Sequence, residues 1–305
     1  MGGINRLHAH SVTDKTALSS YVPAARRWLA WCQTFNAPLN GGAEALDRAL
    51  ADYLAYLCYT ENKDISEGRS ALWGATCVFL ELLDHTPLAQ RALKGWERLS
   101  VTAEGGPIPW AGIAALINWF RQHGGPEAAA VTLLATDCYL RLGEWDMLQV
   151  RDVVDGASGM ALLIGNPERG QSAKTGTRQG VRPDYSETEA LLRERCRGRP
   201  PTARLFQISP EQYRRAWHAA CHALSWWPGP PHSLRHSGPS YDAYCNYRNL
   251  DLIRVRGRWR AKTSVLRYQK THTLLAAEAG LPPGIRKLGS NFEEVRGVRS
   301  ATPRQ

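Results

Sequence analysis

Through the first hundred residues, apolar positions recur every three or four places, the spacing of helices that bury one face. Leu18, Tyr21, Val22, Ala25, Trp28, Leu29 and Cys32 form one such stripe, with Thr13 or Asp14 placed to cap it. Gly41-Gly42 breaks the chain before a second stripe of Leu46, Leu50, Tyr53, Leu54 and Leu57. A third helix is predicted over 68–84, through Leu72, Ala75, Val78, Phe79 and Leu82. Pro87 suits the first turn of a fourth, which carries Leu93 and Trp96. Four amphipathic helices in succession make a small bundle, predicted to span residues 13–99. Residues 1–12 lack this period and read as disordered.

Residues 100–109, Ser-Val-Thr-Ala-Glu-Gly-Gly-Pro-Ile-Pro, carry turn punctuation and read as a linker. Helical spacing resumes from Trp110 to about Gln122, then from Pro126 through Val131, Leu133, Leu134 and Leu140, then over Trp145 to Val150. Between Arg151 and Pro183 the period shortens. Asp152-Val-Val-Asp and Met160-Ala-Leu-Leu-Ile are strand candidates bounded by glycines, and a returning strand ends near Val181, with Lys174 close to its turn. Further helices are predicted over 186–197, 210–225, 233–246, 248–256, 263–270 and a short 273–279. Beyond Gly280 the chain is polar with Pro and Gly, and no helix is predicted there. The fold class expected is mainly α with a small β-sheet: a helical bundle, then a mixed α/β domain over 110–289, then a flexible tail over 290–305.

Composition narrows the partner. The chain has 305 residues, 43% hydrophobic and 22% charged, with formal net charge +10, proportions of a globular protein with a polyanionic partner. Residues 1–100 hold ten basic and ten acidic side chains. The remaining 28 of the 38 basic residues and 18 of the 28 acidic ones lie after residue 100, with the whole excess. Seven widely spaced cysteines without a Cys-x-x-Cys pair argue against disulfides or a zinc site and for a reducing, intracellular compartment. No apolar run approaches the roughly 20 residues of a membrane span, and no signal-peptide core is visible. Met1-Gly2-Gly3 is not a myristoylation start, since Arg6 occupies the Ser/Thr position.

Candidate chemistry concentrates between His232 and Tyr268. His232-Ser-Leu-Arg235-His236 is followed by Arg254-Val-Arg256-Gly-Arg258-Trp259-Arg260 and by Tyr268, with only Asp242 and Asp251 acidic. His232 and Arg235 share a helix face at this spacing. A phosphodiester under attack gains negative charge, which metal ions on clustered carboxylates or the protein's own cations can neutralise. Carboxylates are scarce here and no metal-ligand spacing occurs elsewhere, so the cation route is favoured and no metal or cofactor is expected. Arginine suits it, because its planar fork donates twice to phosphate and keeps its charge. A tyrosine attacking phosphorus needs activation by such cations or a base.

These residues resemble the tyrosine recombinases, the phage-integrase superfamily. The likeness rests on His232-x-x-Arg235, Trp259 and Tyr268. Upstream it includes Arg141-Leu-Gly-Glu144, and Lys174 in a hairpin. It implies that Tyr268 attacks the scissile phosphate to form a 3′-phosphotyrosyl link, releasing a 5′-hydroxyl. Arg141 and Arg235 would bind the phosphate oxygens and Lys174 would protonate the leaving oxygen. His232 would assist proton transfer at Tyr268, Trp259 would pack and donate its indole N–H, and Glu144 would orient Arg141 or His232. The resemblance further implies a double-stranded DNA target, a homotetramer on synapsed DNA, no membrane, and a DNA-associated location in cytoplasm, nucleoid or nucleus.

Taken singly, each residue has a plainer explanation. Arg141 with Glu144 could be a surface ion pair, Lys174 a solvated charge, His232 a helix start after Pro231, and Trp259 and Tyr268 packing. His236 is expected to be structural or to support the site. Arg26, Arg27 and Arg69 in the bundle, with Arg178, Arg256 and Arg258, are candidate DNA contacts; Arg178 is also the nearest substitute for Lys174. Gly238-Pro239 departs from the family pattern, so the helix there is expected to begin later or kink. Rival functions are a DNA-binding protein of this fold without turnover, and a type IB topoisomerase-like relaxase.

Overall fold

A computed structural model describes residues 15–100, 105–157, 159–169, 179–266 and 268–290. The chain divides between Ala103 and Glu104 into two compact units.

The first unit holds α1 (Lys15–Thr34), α2 (Gly42–Tyr59), α3 (Ile65–Val78) and α4 (Pro87–Leu99). The predicted apolar stripes converge on one core, with Trp28, Leu50, Leu54, Leu72 and Trp96 buried. Helix α3 packs on α1 where Gly74 meets Tyr21: a β-carbon at Gly74 would stand 2.4 Å from the Tyr21 carbonyl oxygen. It starts earlier than the apolar spacing predicts, because the Asp64 side chain accepts the Ser66 N–H at 2.8 Å and caps it. It also stops earlier, at an extended Phe79, and a 3₁₀ turn, Leu80–Leu82, follows. The first turn of α4 lacks a local side-chain cap. Buried Asp47 of α2 supplies one across the bundle, accepting the N–H groups of Leu88 and Ala89 at 2.8 and 2.9 Å.

In the second unit, α5 (Trp110–Gln122) and α6 (Pro126–Asp137) form the core with α7 (Leu142–Asp146), α8 (Ser186–Cys196) and α9 (Pro210–Ala223). Helix α6 is buried all round from Ala128 to Asp137, the condition of a central helix. The strands β1 (Val153–Gly156), β2 (Gly159–Ile164) and β3 (Gln179–Val181) form an antiparallel meander in the order β1-β2-β3. Its register pairs Val153 with Leu162 and Leu162 with Val181. Met160, Leu162 and Ile164 face the core, as a period of two requires.

Helices α10 (Leu234–Tyr244), α11 (Leu250–Arg256) and α12 (Lys262–Leu266) carry the candidate residues, and α13 (Thr271–Ala279) and α14 (Pro283–Ser290) follow. Two expectations are corrected here. Helix α10 begins at Leu234 and runs through Pro239, where the sequence suggested a later start or a kink. Gly238 explains the local composition: a β-carbon there would lie 2.4 Å from the Tyr139 ring and 2.6 Å from the Thr136 carbonyl oxygen. Beyond Gly280, α14 stands where no helix was expected. It buries Ile285 against Ala115, and the Asn118 amide donates to the Leu288 carbonyl at 2.8 Å. Together the described residues are mainly α with one small sheet.

Candidate active site

Arg141 lies at the N-cap of α7, and its guanidinium donates to the Glu144 carboxylate at 2.5 Å. Glu144 is 4% exposed. It also accepts from Arg258 at 2.8 Å and lies 3.7 Å from Arg235. One buried carboxylate therefore meets three guanidiniums. Burial alone would push the Glu144 carboxyl up, but Arg258, Arg235 and Arg141, with the Arg141 N–H, outweigh it and hold the group below its ordinary value.

Arg235 sits in the first turn of α10 and is fully buried. It donates to the Tyr139 carbonyl, and to the Gly257 carbonyl at 2.7 Å. Its guanidinium lies 4.7 Å from the Trp259 ring centroid and 5.6 Å from that of Tyr268. Burial presses Arg235 below the ordinary guanidinium value; Glu144 opposes this, while Arg141 and Arg258 add to it. Within this cluster three buried donors have no hydrogen-bond acceptor among the described residues: Nε of Arg235, Nε of Arg258 and Nε1 of Trp259. Such groups are costly to leave unmet.

Tyr268 follows α12, and its backbone is pinned. The Ser240 hydroxyl donates to the Tyr268 carbonyl at 2.9 Å and accepts the Lys270 N–H at 2.8 Å. The ring packs on Trp259, with centroids 4.9 Å apart, and on His236 at 4.6 Å. His232, in a 3₁₀ turn before α10, stands farther away at 6.1 Å, edge-on. The structure thus gathers Arg141, Glu144, His232, Arg235, His236, Trp259 and Tyr268, which are spread over 128 positions in sequence. Lys174 and Arg178 lie outside the described residues. No group of three or more His, Cys, Asp or Glu that could hold a metal occurs among the described residues, and none of their helices is long and apolar enough to cross a membrane.

No protein-family model matches the sequence, and no curated protein matches it. Solved structures do. The Tn1549 transposon integrase in complex with transposon right-end DNA superposes with TM-score 0.60 at 11% identity, over 90% of this chain and 96% of that one. A lambda integrase dimer bound to a core site gives 0.57 at 16% identity, over 88% and 76%. The XerH site-specific recombinase, in a post-cleavage complex with its palindromic difH substrate, gives 0.54 at 15%, over 90% and 83%.

This chain has the tyrosine-recombinase fold. Within that fold, the candidate DNA contacts separate by direction. Arg27 and Arg69 are about half exposed and pair with Glu67 and Glu97 at 2.7 and 2.8 Å; Arg26 is exposed. Arg256 and Arg258 point inward, so both are corrected from surface contacts to buried ones. Arg256 donates to the Arg182 and Asp137 carbonyls at 2.7 and 2.6 Å and pairs with Asp137 and Asp184. Arg258 is 6% exposed and donates to the Cys138, Arg256 and Tyr139 carbonyls at 3.2, 3.0 and 3.1 Å as well as to Glu144. Sequence shows a cation but not which way it faces. Tyr139 was also not legible as a site residue. Its contribution is a main-chain carbonyl, set by a left-handed backbone at φ 52°.

Proposed function

We propose that this protein is a site-specific DNA strand transferase that uses Tyr268 as nucleophile. The observation that carries the reading is the cluster beneath Tyr268: three guanidiniums on one buried carboxylate, with unmet N–H donors on Arg235 and Trp259. An excess of buried cations and orphaned donors is stabilised by an anion, and a phosphate bridged to a tyrosine supplies one.

In this reading the Tyr268 oxygen forms a bond to phosphorus while the bond to the 5′-oxygen breaks. Arg141, Arg235 and the Trp259 indole N–H take up the charge on the non-bridging oxygens. The tyrosine proton passes to His232 or His236, and Lys174 donates one to the departing 5′-oxygen. A second 5′-hydroxyl reverses the step, so bond energy is conserved without ATP. The target is double-stranded DNA, held also by the exposed arginines of the first unit, and the family resemblance makes the working form a homotetramer on synapsed duplexes.

The test needs no knowledge of the target. The protein is incubated with sheared duplex DNA of random sequence, denatured in detergent, and assayed for DNA retained on it. Wild-type protein is expected to retain a small subset of fragments that share a sequence, and Tyr268→Phe to retain none while still binding duplex; retention without sequence preference would favour a relaxase. Equal retention by Tyr268→Phe would refute the assignment.

A further inference from the structure

Arg258 has four protein acceptors and a backbone that no local preference explains. Its φ is 58°, a left-handed conformation that bulky residues rarely adopt. That turn carries the side chain inward, where one terminal nitrogen donates to the Cys138 and Arg256 carbonyls, and the other to the Tyr139 carbonyl and Glu144 Oε2. The last two groups are also partners of Arg235, through the Tyr139 carbonyl and the 3.7 Å approach to Glu144. The residues on either side of Arg258 close the same cage. The Gly257 carbonyl accepts from Arg235 at 2.7 Å, and the Trp259 ring lies against the Arg235 guanidinium. Three consecutive residues thus define the position of Arg235 by a carbonyl, by two shared acceptors and by an aromatic face.

We propose that Arg258 is a positioning residue: it clamps the Glu144 carboxylate and the Tyr139 carbonyl, and so holds Arg235 and Arg141 in the geometry that receives a tetrahedral anion. This rests on reading the arginine cluster as a phosphoryl-transfer site. Lysine cannot replace it, because a single ammonium has no fork of two terminal nitrogens with which to reach four acceptors at once. Glu144 Oε1 is held by the Arg141 guanidinium, and Oε2 by Arg258 and the Arg141 main-chain N–H. Without Arg258, Oε2 loses its one close guanidinium and draws on Arg235, whose guanidinium then moves off the Gly257 and Tyr139 carbonyls.

The experiment uses the full chain and two readouts. Tungstate, a tetrahedral dianion, is titrated calorimetrically against wild type, Arg258→Lys and Arg258→Gly; glycine suits the left-handed backbone, which guards against misfolding. Covalent adduct formation is followed at saturating duplex DNA, with DNA affinity measured separately. Both variants are expected to weaken tungstate binding and slow adduct formation by about 10- to 100-fold, the scale on which supporting groups act around charged centres. DNA affinity should change less than about 3-fold, because the exposed phosphate contacts are untouched. In a Glu144→Gln background, Arg258→Lys should add little further loss, since the two act through one contact. Wild-type tungstate affinity in both Arg258 variants would overturn the proposal, as would full additivity with Glu144→Gln. If wild-type protein forms no adduct with any duplex, the strand-transfer reading fails, and the tungstate titration still decides the role of Arg258.

Discussion

Two clusters of buried charge meet at Tyr139 in the second unit, and their proportions are opposite. On the carbonyl side, Arg141, Arg235 and Arg258 surround Glu144. On the hydroxyl side, Asp137, Asp184 and Asp242 surround Arg256 and Arg248. The Tyr139 hydroxyl donates to Asp242, and Arg256 lies over the Tyr139 ring at 5.2 Å. In the acidic cluster, carboxylates outnumber guanidiniums, and main-chain N–H groups supply further donors to Asp137. Asp137 accepts the N–H groups of Asp184 and Tyr185 at 3.0 to 3.1 Å, which ties α6 to the chain entering α8. In the basic cluster, guanidiniums outnumber the carboxylate and buried N–H donors remain unmet. Orphaned atoms remain in both, Arg256 Nε and Asp184 Oδ2 in the first and Arg235 Nε and Arg258 Nε in the second, so the two differ in the sign of their excess charge. The difference teaches how a scaffold and a site can be built from the same residue types, and it can be broken from either side.

The largest expected effect falls on the acidic cluster. Arg256→Ala leaves Asp137 and Asp184 without their shared cation, and breaking a buried pair in this way costs about 3–5 kcal/mol. Chemical denaturation should show this loss of stability; a midpoint equal to wild type would contradict it. In the basic cluster the cost moves from stability to rate. Arg141→Ala or Arg235→Ala should slow adduct formation by about 10²–10³, by analogy with removing one charge-stabilising donor. Glu144 keeps two cations in either variant, so unfolding free energy should fall less than for Arg256→Ala. If Arg235→Ala cleaves at the wild-type rate, the basic cluster is scaffold as well. A smaller effect is expected at Ser240, which holds the Tyr268 main chain. Ser240→Ala leaves the Lys270 N–H without that acceptor and should cost about 1–2 kcal/mol, measured by the same denaturation series.

The two clusters also differ in their response to pH. Burial raises Asp137 from its ordinary 3.8 to about 6, with Arg256 opposing and Asp184 adding to it. The folded state then takes up a proton that the unfolded chain does not, so this group's contribution to stability falls as pH rises from about 4 to about 6. Glu144 is shifted the other way. Its contribution is present above the unfolded value of about 4.3 and is lost as pH falls below it. Asp137→Asn should therefore remove a slope between pH 4 and 6, and Glu144→Gln a slope of opposite sign at lower pH, in urea titrations across that range. Slopes of the same sign would show that the clusters are not opposed.

Much of this arrangement was legible beforehand. The apolar periods placed the bundle and its core, because amphipathic helices write their buried face into the spacing. The residues gathered in the basic cluster were named beforehand from their type, their order and a family resemblance, because the proposed phosphoryl transfer calls for those side chains. Direction was not legible. Arg256 and Arg258 sit in a basic run that reads as a DNA-facing surface, and only the carbonyl and carboxylate of Asp137, at the end of α6, hold Arg256 inward, while a left-handed turn does the same for Arg258. Helix α14 was missed because Pro283, Gly284 and Gly289 mask a short stripe whose partner, α5, is remote in sequence. The cap that Asp47 gives α4 escaped for the same reason. Tyr139 acts through its main chain, which no side-chain pattern reports.

The most direct test of the central claim is to identify the residue that becomes linked to DNA. Protein trapped on duplex would be digested with nuclease and protease, and the peptide bearing a nucleotide sequenced by mass spectrometry. The account predicts a phosphotyrosyl linkage at Tyr268, absent from Tyr268→Phe and scarce in Arg235→Ala. A nucleotide attached to any other residue, or an undiminished yield in Tyr268→Phe, would contradict it.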